Sequence, residues 1–376
     1  MGGLGGYSGF GIATGLIAAL AATGLGGPAQ AEGAADFYQG KRISMMISSG
    51  VGGGYDLYGR TVSRYMTAHI PGKPTIIVRN MPGAGGMKLL NFAYNKGPRD
   101  GTLAFTLHVG LPLHQALGGR GVHFDARKII GIGRVAAGNS VTGAWHATGV
   151  RSIEDARKKA ITVGATGASS NSAVFPTVAQ NLLGAQIKVI MGYKGGEQVM
   201  LAMERGEVHG FGSFGLASMQ STRPDYISKK LIYPLVQWGL RREKVWADVP
   251  LASEMVKDPT EKKAMELLSA QMDIGRSYYL PPGVPGDRVS ALRAALKKTV
   301  ADAGFLSSAK KLKMEIRYAS GEETEKMIAD ILTAPKDAVA RLKQVMAKRG
   351  GGKCQEYTNP KFCRKKKAKK RKKKSS

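Results

Sequence analysis

Twice near its start the chain runs from an apolar, strand-like stretch straight into a glycine-rich loop and then into a helical pattern. Residues 42–49 (RISMMISS) lead into 50–56 (GVGGGYD), after which Tyr58, Val62, Tyr65, Met66 and His69 recur at helical spacing. Residues 75–80 (TIIVRN) lead into 80–88 (NMPGAGGMK) and then into MKLLNFAY, and GTLAFTLHVG supplies a third strand. Strands that alternate with helices pair in parallel, because each crossover helix returns the chain to the same end of the sheet. The loops at the strands' carboxyl ends then lie side by side, so this alternation restricts the chain to a layered α/β architecture with a crevice at those ends.

The same grammar returns near residue 150. Ser152 and Asp155 form a helix start of the S-x-x-D type, and ITVG (161–164) is a strand entering the small-residue loop ATGASSNS. AVFPTVAQNLLG is helical in pattern, with Pro176 expected in its first turn or at a kink. IKVIMGYKGG reads as a strand ending in a third glycine turn, and EQVMLAMERGEVHGFG as a helix, a glycine break and a strand. Strand character reappears in MDIGRSYYLPPGVP, before a helix with Val289, Leu292, Leu296 and Val300 on one face. Ser320 and Glu323 make a capping box for the next helix, and PKDAVARLKQVM is a last amphipathic one. Two α/β lobes are expected: 36–138 together with 275–349 as the first, and 139–274 as the second.

The ends of the chain read differently. Residues 1–31 end an apolar Gly- and Ala-rich run in Ala29-Gln30-Ala31, a small-x-small pattern expected to be a cleavable export signal cut after Ala31, although no Lys or Arg precedes the run. The protein is therefore expected in the periplasm. At the other end, Lys353 to Ser376 carry twelve Lys/Arg against one acid, Glu356, which leaves +18 of the +29 formal charge on the rest of the chain. Residues 350–376 cannot build a core and are expected to be a disordered basic tail. Nucleic-acid binding, targeting and adhesion to an anionic envelope are its functional readings, and a solvated extension is the plainer one. Export argues against nucleic acid. The two cysteines, Cys354 and Cys363, lack zinc-site spacing; a disulfide between them depends on an oxidising compartment.

The chemistry concentrates in the loops. Gly52, Gly53 and Gly54 bring backbone N–H groups to a helix start, which suits an anion, although a tight strand-to-helix turn uses the same residues. The Lys-Ser/Thr ending of a nucleotide loop is absent, and the dinucleotide spacing G-x-G-x-x-G fails at Tyr55 and at Leu57. The second loop converges on the first, and ATGASSN (165–171) and YKGG (193–196) add hydroxyls, a phenol and a cation from the other lobe. Two donor-rich faces across a cleft suit a carboxylate.

These stretches, in this order with DGTLAF, GYKGGEQVMLAMERGEV and YYLPPGVP, resemble the Bug-type receptors, the extracytoplasmic solute-binding proteins of tripartite tricarboxylate transporters. The resemblance spans roughly residues 40–345. It implies a two-lobe periplasmic-binding-protein fold (type II), closing on its ligand about two crossing segments placed near 138–145 and 270–279, with the C-terminal helices on the first lobe. It assigns ligand contacts to Gly52, Gly53, Gly54, Tyr55 and Asp56 in the first loop, with Asp56 fixing the loop, and to Pro82, Gly83, Ala84, Gly85 and Gly86 in the second. From the other lobe it assigns Thr166, Gly167, Ala168, Ser169, Ser170, Asn171 and Tyr193. Lys194 replaces the arginine of the family's Tyr-Arg-Gly turn, His209 stands where an acid is usual, and Tyr55 where a smaller residue is common.

No constellation for catalysis accompanies these loops. The six histidines show no metal spacing, no G-x-S-x-G elbow occurs, and the cysteines lie in the tail. His108 and His114 flank VGLPL and so approach the cleft, yet the plainer reading of all six is surface or hydrogen-bonded side chains. The expectation is a non-catalytic, monomeric receptor without cofactor or metal, taking a di- or tricarboxylate or aromatic acid and delivering it to a membrane permease. A receptor that presents its ligand to a sensor protein, or an envelope-associated protein acting through its tail, are the alternatives.

Overall fold

The computed structural model describes residues 1, 2, 6 and 33–347; the expected export signal, the basic tail and both cysteines lie outside the described residues, apart from the first few positions. Among the described residues eleven strands form two sheets: β1 (Arg42–Ile47), β2 (Thr75–Asn80), β3 (Leu103–Thr106), β4 (Ile130–Arg134), β5 (Ser140–Trp145), β6 (Ile161–Ala165), β7 (Ile187–Met191), β8 (Gly210–Gly215), β9 (Ile232–Trp238), β10 (Ser277–Leu280) and β11 (Ala319–Ser320). The first sheet has the order β2-β1-β3-β10-β4-β11 and the second β7-β6-β8-β5-β9. In each, three strands run parallel and the next is antiparallel. That antiparallel strand is the one the chain enters just after crossing from the other sheet: β5 in the second, β10 in the first. The two lobes thus repeat one topology without shared sequence.

Helices cover both faces, so the parallel strands are apolar on both. In β1, Ile43, Met45 and Ile47 pack with Tyr58, Val62 and Met66 of the helix Gly54–Met66, while Met46 joins a second cluster with Leu89, Leu103 and Phe105. That second cluster continues into the other lobe through Val163, Phe175 and Trp238, so the lobes share part of their core. Ser152 and Ser320 both cap their helices as reciprocal boxes with Asp155 and Glu323.

The first crossing is shorter than 138–145, because Ser140–Trp145 is β5 itself, hydrogen-bonded between β8 and β9. The chain crosses between β4 and β5, and returns between the helix Pro259–Ala270 and β10. The two segments are tied by Val135 N–H to Arg276 O at 3.0 Å and Arg276 N–H to Ala136 O at 2.7 Å. A second departure concerns the C-terminus. The helices Gly286–Ala301 and Gly321–Leu332 pack on β4 of the first sheet, as expected. The last helix, Lys336–Ala347, packs instead on Pro259–Ala270 and Asn171–Leu183 of the second lobe, where Asn181 Nδ2 donates to Val345 O at 2.8 Å and Arg341 pairs with Glu261. Its apolar face, with Leu342 and Val345 fully buried, fits the side of the second lobe, so the chain passes between the lobes a third time.

Candidate ligand-binding cleft

The carboxyl ends of β1, β2 and β3 face those of β6, β7 and β8 across a small cavity of about 110 Å³. Backbone and hydroxyl groups of Ser48, Gly53, Gly54, Gly83, Gly85 and Gly86 from the first lobe, and of Thr166, Ser172, Ser213 and Ser218 from the second, stand in the walls beside apolar side chains such as Val109, Met200, Phe214 and Met272. The lobes are closed over it. Gly50 N–H donates to Lys194 O at 3.2 Å, and Ser169 Oγ to Ala84 O at 2.8 Å. A Cβ on Gly54 would overlap the Ser218 side chain, and one on Gly85 would lie 3.0 Å from Ser170 N, so glycine is what lets the lobes approach at both points.

Of the residues singled out in the sequence, Gly53, Gly54, Tyr55, Gly83, Gly85, Gly86, Thr166, Asn171 and Tyr193 line the cavity. The others stand around it. Asp56 accepts from Gly52 N–H at 3.0 Å, Asn80 Nδ2 at 2.8 Å and Arg60 Nε at 3.0 Å, which pins the first loop to β2. Burial pushes the Asp56 carboxyl up, but Arg60, Gly52 and Asn80 together outweigh it and hold it below the ordinary carboxylate value. Pro82 and Ala84 belong to the turn that carries the second loop. Ala84, with φ +47°, lies within a run of left-handed residues. Ser169 ties the loop 166–171 to the first lobe through Ala84 O, Ser170 Oγ donates within the loop to Gly167 O at 2.7 Å, and neither they nor Gly167 and Ala168 reach the cavity wall. His209 is remote from it: its Nδ1 accepts from Thr162 N–H at 3.1 Å on the far end of β6.

Two residues outside the expected ligand contacts lie at the centre: His108, read from sequence as a surface or hydrogen-bonded side chain, and Arg276, which the sequence did not single out. His108 is neither at the surface nor hydrogen-bonded: its Nδ1 is buried without a partner, and its ring stacks on Tyr55 with centroids 5.6 Å apart. Burial, and secondly the Arg276 charge, hold its pKa down at about 4, so the imidazole is neutral near pH 7. His114 is elsewhere, its Nε2 meeting Arg120 O at 3.1 Å. Arg276, 9% exposed, lines the cavity from the returning crossing segment. Its guanidinium lies 4.1 Å above the Tyr55 ring and donates to Ser218 Oγ. The Tyr55 hydroxyl and Arg276 Nε are both buried without partners. Nothing local in GRSYY marks Arg276, since its side-chain partners, Tyr55 and Ser218, come from two helices distant in sequence.

A wider groove of about 800 Å³ runs along the crossing segments, past Asn139, Leu240 and Arg317. Two of its acids are taken up by one arginine: Arg317 meets Glu243 at 3.2 Å and Glu315 at 2.7 Å. Among the described residues no cluster of His, Cys, Asp or Glu could hold a metal, and no helix is long and apolar enough to cross a membrane.

Two lobes of one topology, joined at crossing segments and closed on a cavity at their strands' carboxyl ends, define the periplasmic-binding-protein fold. Solved structures share it over most of this chain. The periplasmic binding protein BugD superposes with a TM-score of 0.65 at 19% identity, over 82% of this chain and 98% of its own. An R. palustris protein solved with adipate gives 0.63 at 16% identity, over 81% and 97%. MatC from Rhodopseudomonas palustris with bound malate gives 0.62 at 16%, over 81% and 99%. No protein-family model matches the sequence, and no curated protein does.

Proposed function

We propose that the protein is a non-catalytic periplasmic receptor that closes on a small organic carboxylate and delivers it to a membrane permease of the tripartite tricarboxylate type. The observation that carries this is the cavity between the lobes, whose wall presents glycine backbone, hydroxyls and Arg276, and whose one acid among the described residues, Glu197, is already paired with Arg223. Such walls present donors to an anion, and helix starts such as that at Gly54 add partial positive charge. The structures solved with adipate and with malate share the fold and support a carboxylate of that size. We take 36–138 with 275–334 as one moving body and 139–274 with the last helix as the other. Domain closure would bury the ligand between them.

The test is calorimetric titration of the exported, monomeric protein, stripped of bound ligand by unfolding and refolding, with malate, adipate, citrate and benzoate. Saturable heat and a raised melting temperature with at least one acid are expected. Silence across the panel would sink the receptor reading. Sequencing the amino terminus of protein recovered from the periplasm checks the export signal, with Glu32 expected as the first residue.

A further inference from the structure

We propose that Arg276 is the charge partner of the ligand's carboxylate, so that recognition of the anion is built into the hinge rather than left to the glycine loops alone. This rests on the carboxylate-receptor reading and names the group that selects for charge.

Arg276 is buried, and among the described residues no acid forms an ion pair with it. Its visible partners are a neutral hydroxyl, Ser218 Oγ, and the face of Tyr55. A buried cation in that state is costly, because its hydration is lost and no opposite charge replaces it. The same residue lines the cavity, with Nε unpartnered. The other charged residues of the wall do not supply the missing anion. Glu197 is bound to Arg223, and Lys194 is a second cation, exposed at the rim. His108 adds no acid either, and its imidazole is neutral. A carboxylate in the cavity against the guanidinium would supply the missing opposite charge and accept from its N–H groups, in the planar geometry that arginine offers and lysine does not.

The position of Arg276 links this contact to closure. Its own N–H and C=O pair with Ala136 and Val135 on the outgoing crossing. Its side chain touches Tyr55 of the first lobe and Ser218 of the second. An anion on the guanidinium therefore stabilises the arrangement in which both lobes meet around it. The ligand class that follows is a small acid with one carboxylate seated at Arg276 and the remainder facing glycine backbone and hydroxyls. A neutral amide or alcohol of the same shape should not replace it.

The experiment compares wild type, R276M and R276K, all refolded free of ligand, by calorimetry with malate, adipate, citrate and benzoate and by thermal melting without ligand. Wild type is expected to bind at least one acid. R276M is expected to lose about 100-fold or more in affinity while melting no lower than wild type, because the unpaired charge is gone. R276K, which keeps the charge but loses the fork and the stack, should fall between them. If R276M binds as wild type does, the role of Arg276 is overturned and the receptor reading stands. That role is overturned equally if R276M is weak only because it melts well below wild type and R276K, just as destabilised, shows the same loss. If wild type binds none of the acids, the receptor reading and this inference fall together.

Discussion

In the first glycine loop only Gly52 has a positive φ, +87°, whereas in the second Gly83, Ala84, Gly85 and Gly86 all do, at +146°, +47°, +64° and +92°. Two loops that look interchangeable in composition use glycine for different ends. In the second, the backbone path itself demands it: a side chain in left-handed conformation costs roughly 1–2 kcal/mol per residue. In the first, Gly54 has an ordinary helical backbone and is glycine because Ser218 of the other lobe occupies the place of its Cβ. One loop is shaped by its own conformation and the other by what closes over it. They meet at His108, whose ring stacks on Tyr55 and whose Cβ would lie 2.6 Å from a Cβ on Gly86.

Substitutions separate the two. Gly86→Ala combines left-handed strain with overlap on His108, and should cost about 2–4 kcal/mol of folding stability. A shift of the urea midpoint measures it. Gly54→Ala has a route of relief that Gly86→Ala lacks, since opening the cleft removes the overlap with Ser218. It should cost about 1–3 kcal/mol at most and enlarge the radius of gyration in solution scattering, with ligand affinity reduced at least tenfold. Equal destabilisation by both, with no change in radius for Gly54→Ala, would erase the distinction between the loops.

The point where the loops meet gives a pH test. His108 has a pKa of about 4 in the folded chain, below its ordinary value of about 6.5, so between these values the unfolded chain binds the extra proton. The stability tied to the neutral ring is therefore fully present above about pH 6.5 and is lost as pH falls towards 4, about 1–2 kcal/mol of it by pH 5. Urea midpoints at about pH 8 and pH 5 should differ more for wild type than for His108→Gln. Parallel pH dependence in the two proteins would show that His108 carries no such burden.

The parallel strands were legible because β1, β2, β3, β6 and β7 are apolar runs that break into glycine or small-residue loops, and topology then places those loops together. β4 and β5 were not. Their sequences, IGIGR and SVTGAW, are short of bulk, and glycine is there for contact: a Cβ on Gly131 would press on Thr324, and one on Gly143 on the Phe211 ring. The last helix was legible as amphipathic, but periodicity records that a face is buried and not against which lobe. Arg276 and His108 were illegible for a related reason. Arg276 and Ser218 are 58 residues apart in sequence, and only the tertiary fold brings them together. A buried cation announces itself through what fails to pair with it, which is a property of the assembled cleft.

The smallest expected effect is at Gly53, and it is the most direct probe of what the first loop is for. A Cβ there meets nothing within 4 Å, and its φ of −84° is available to any residue. Neither backbone strain nor overlap follows from Gly53→Ala, so stability should stay within about 0.5 kcal/mol of wild type or rise slightly as the unfolded chain loses freedom. Yet Gly53 lines the cavity, and the added methyl stands where a carboxylate would approach the backbone of the helix start. If the loop serves as an anion cradle, affinity falls several-fold while the urea midpoint does not move. If the loop is only a tight turn between β1 and its helix, neither quantity changes. Affinity and stability measured on this one variant therefore separate the two readings that the glycines alone leave open.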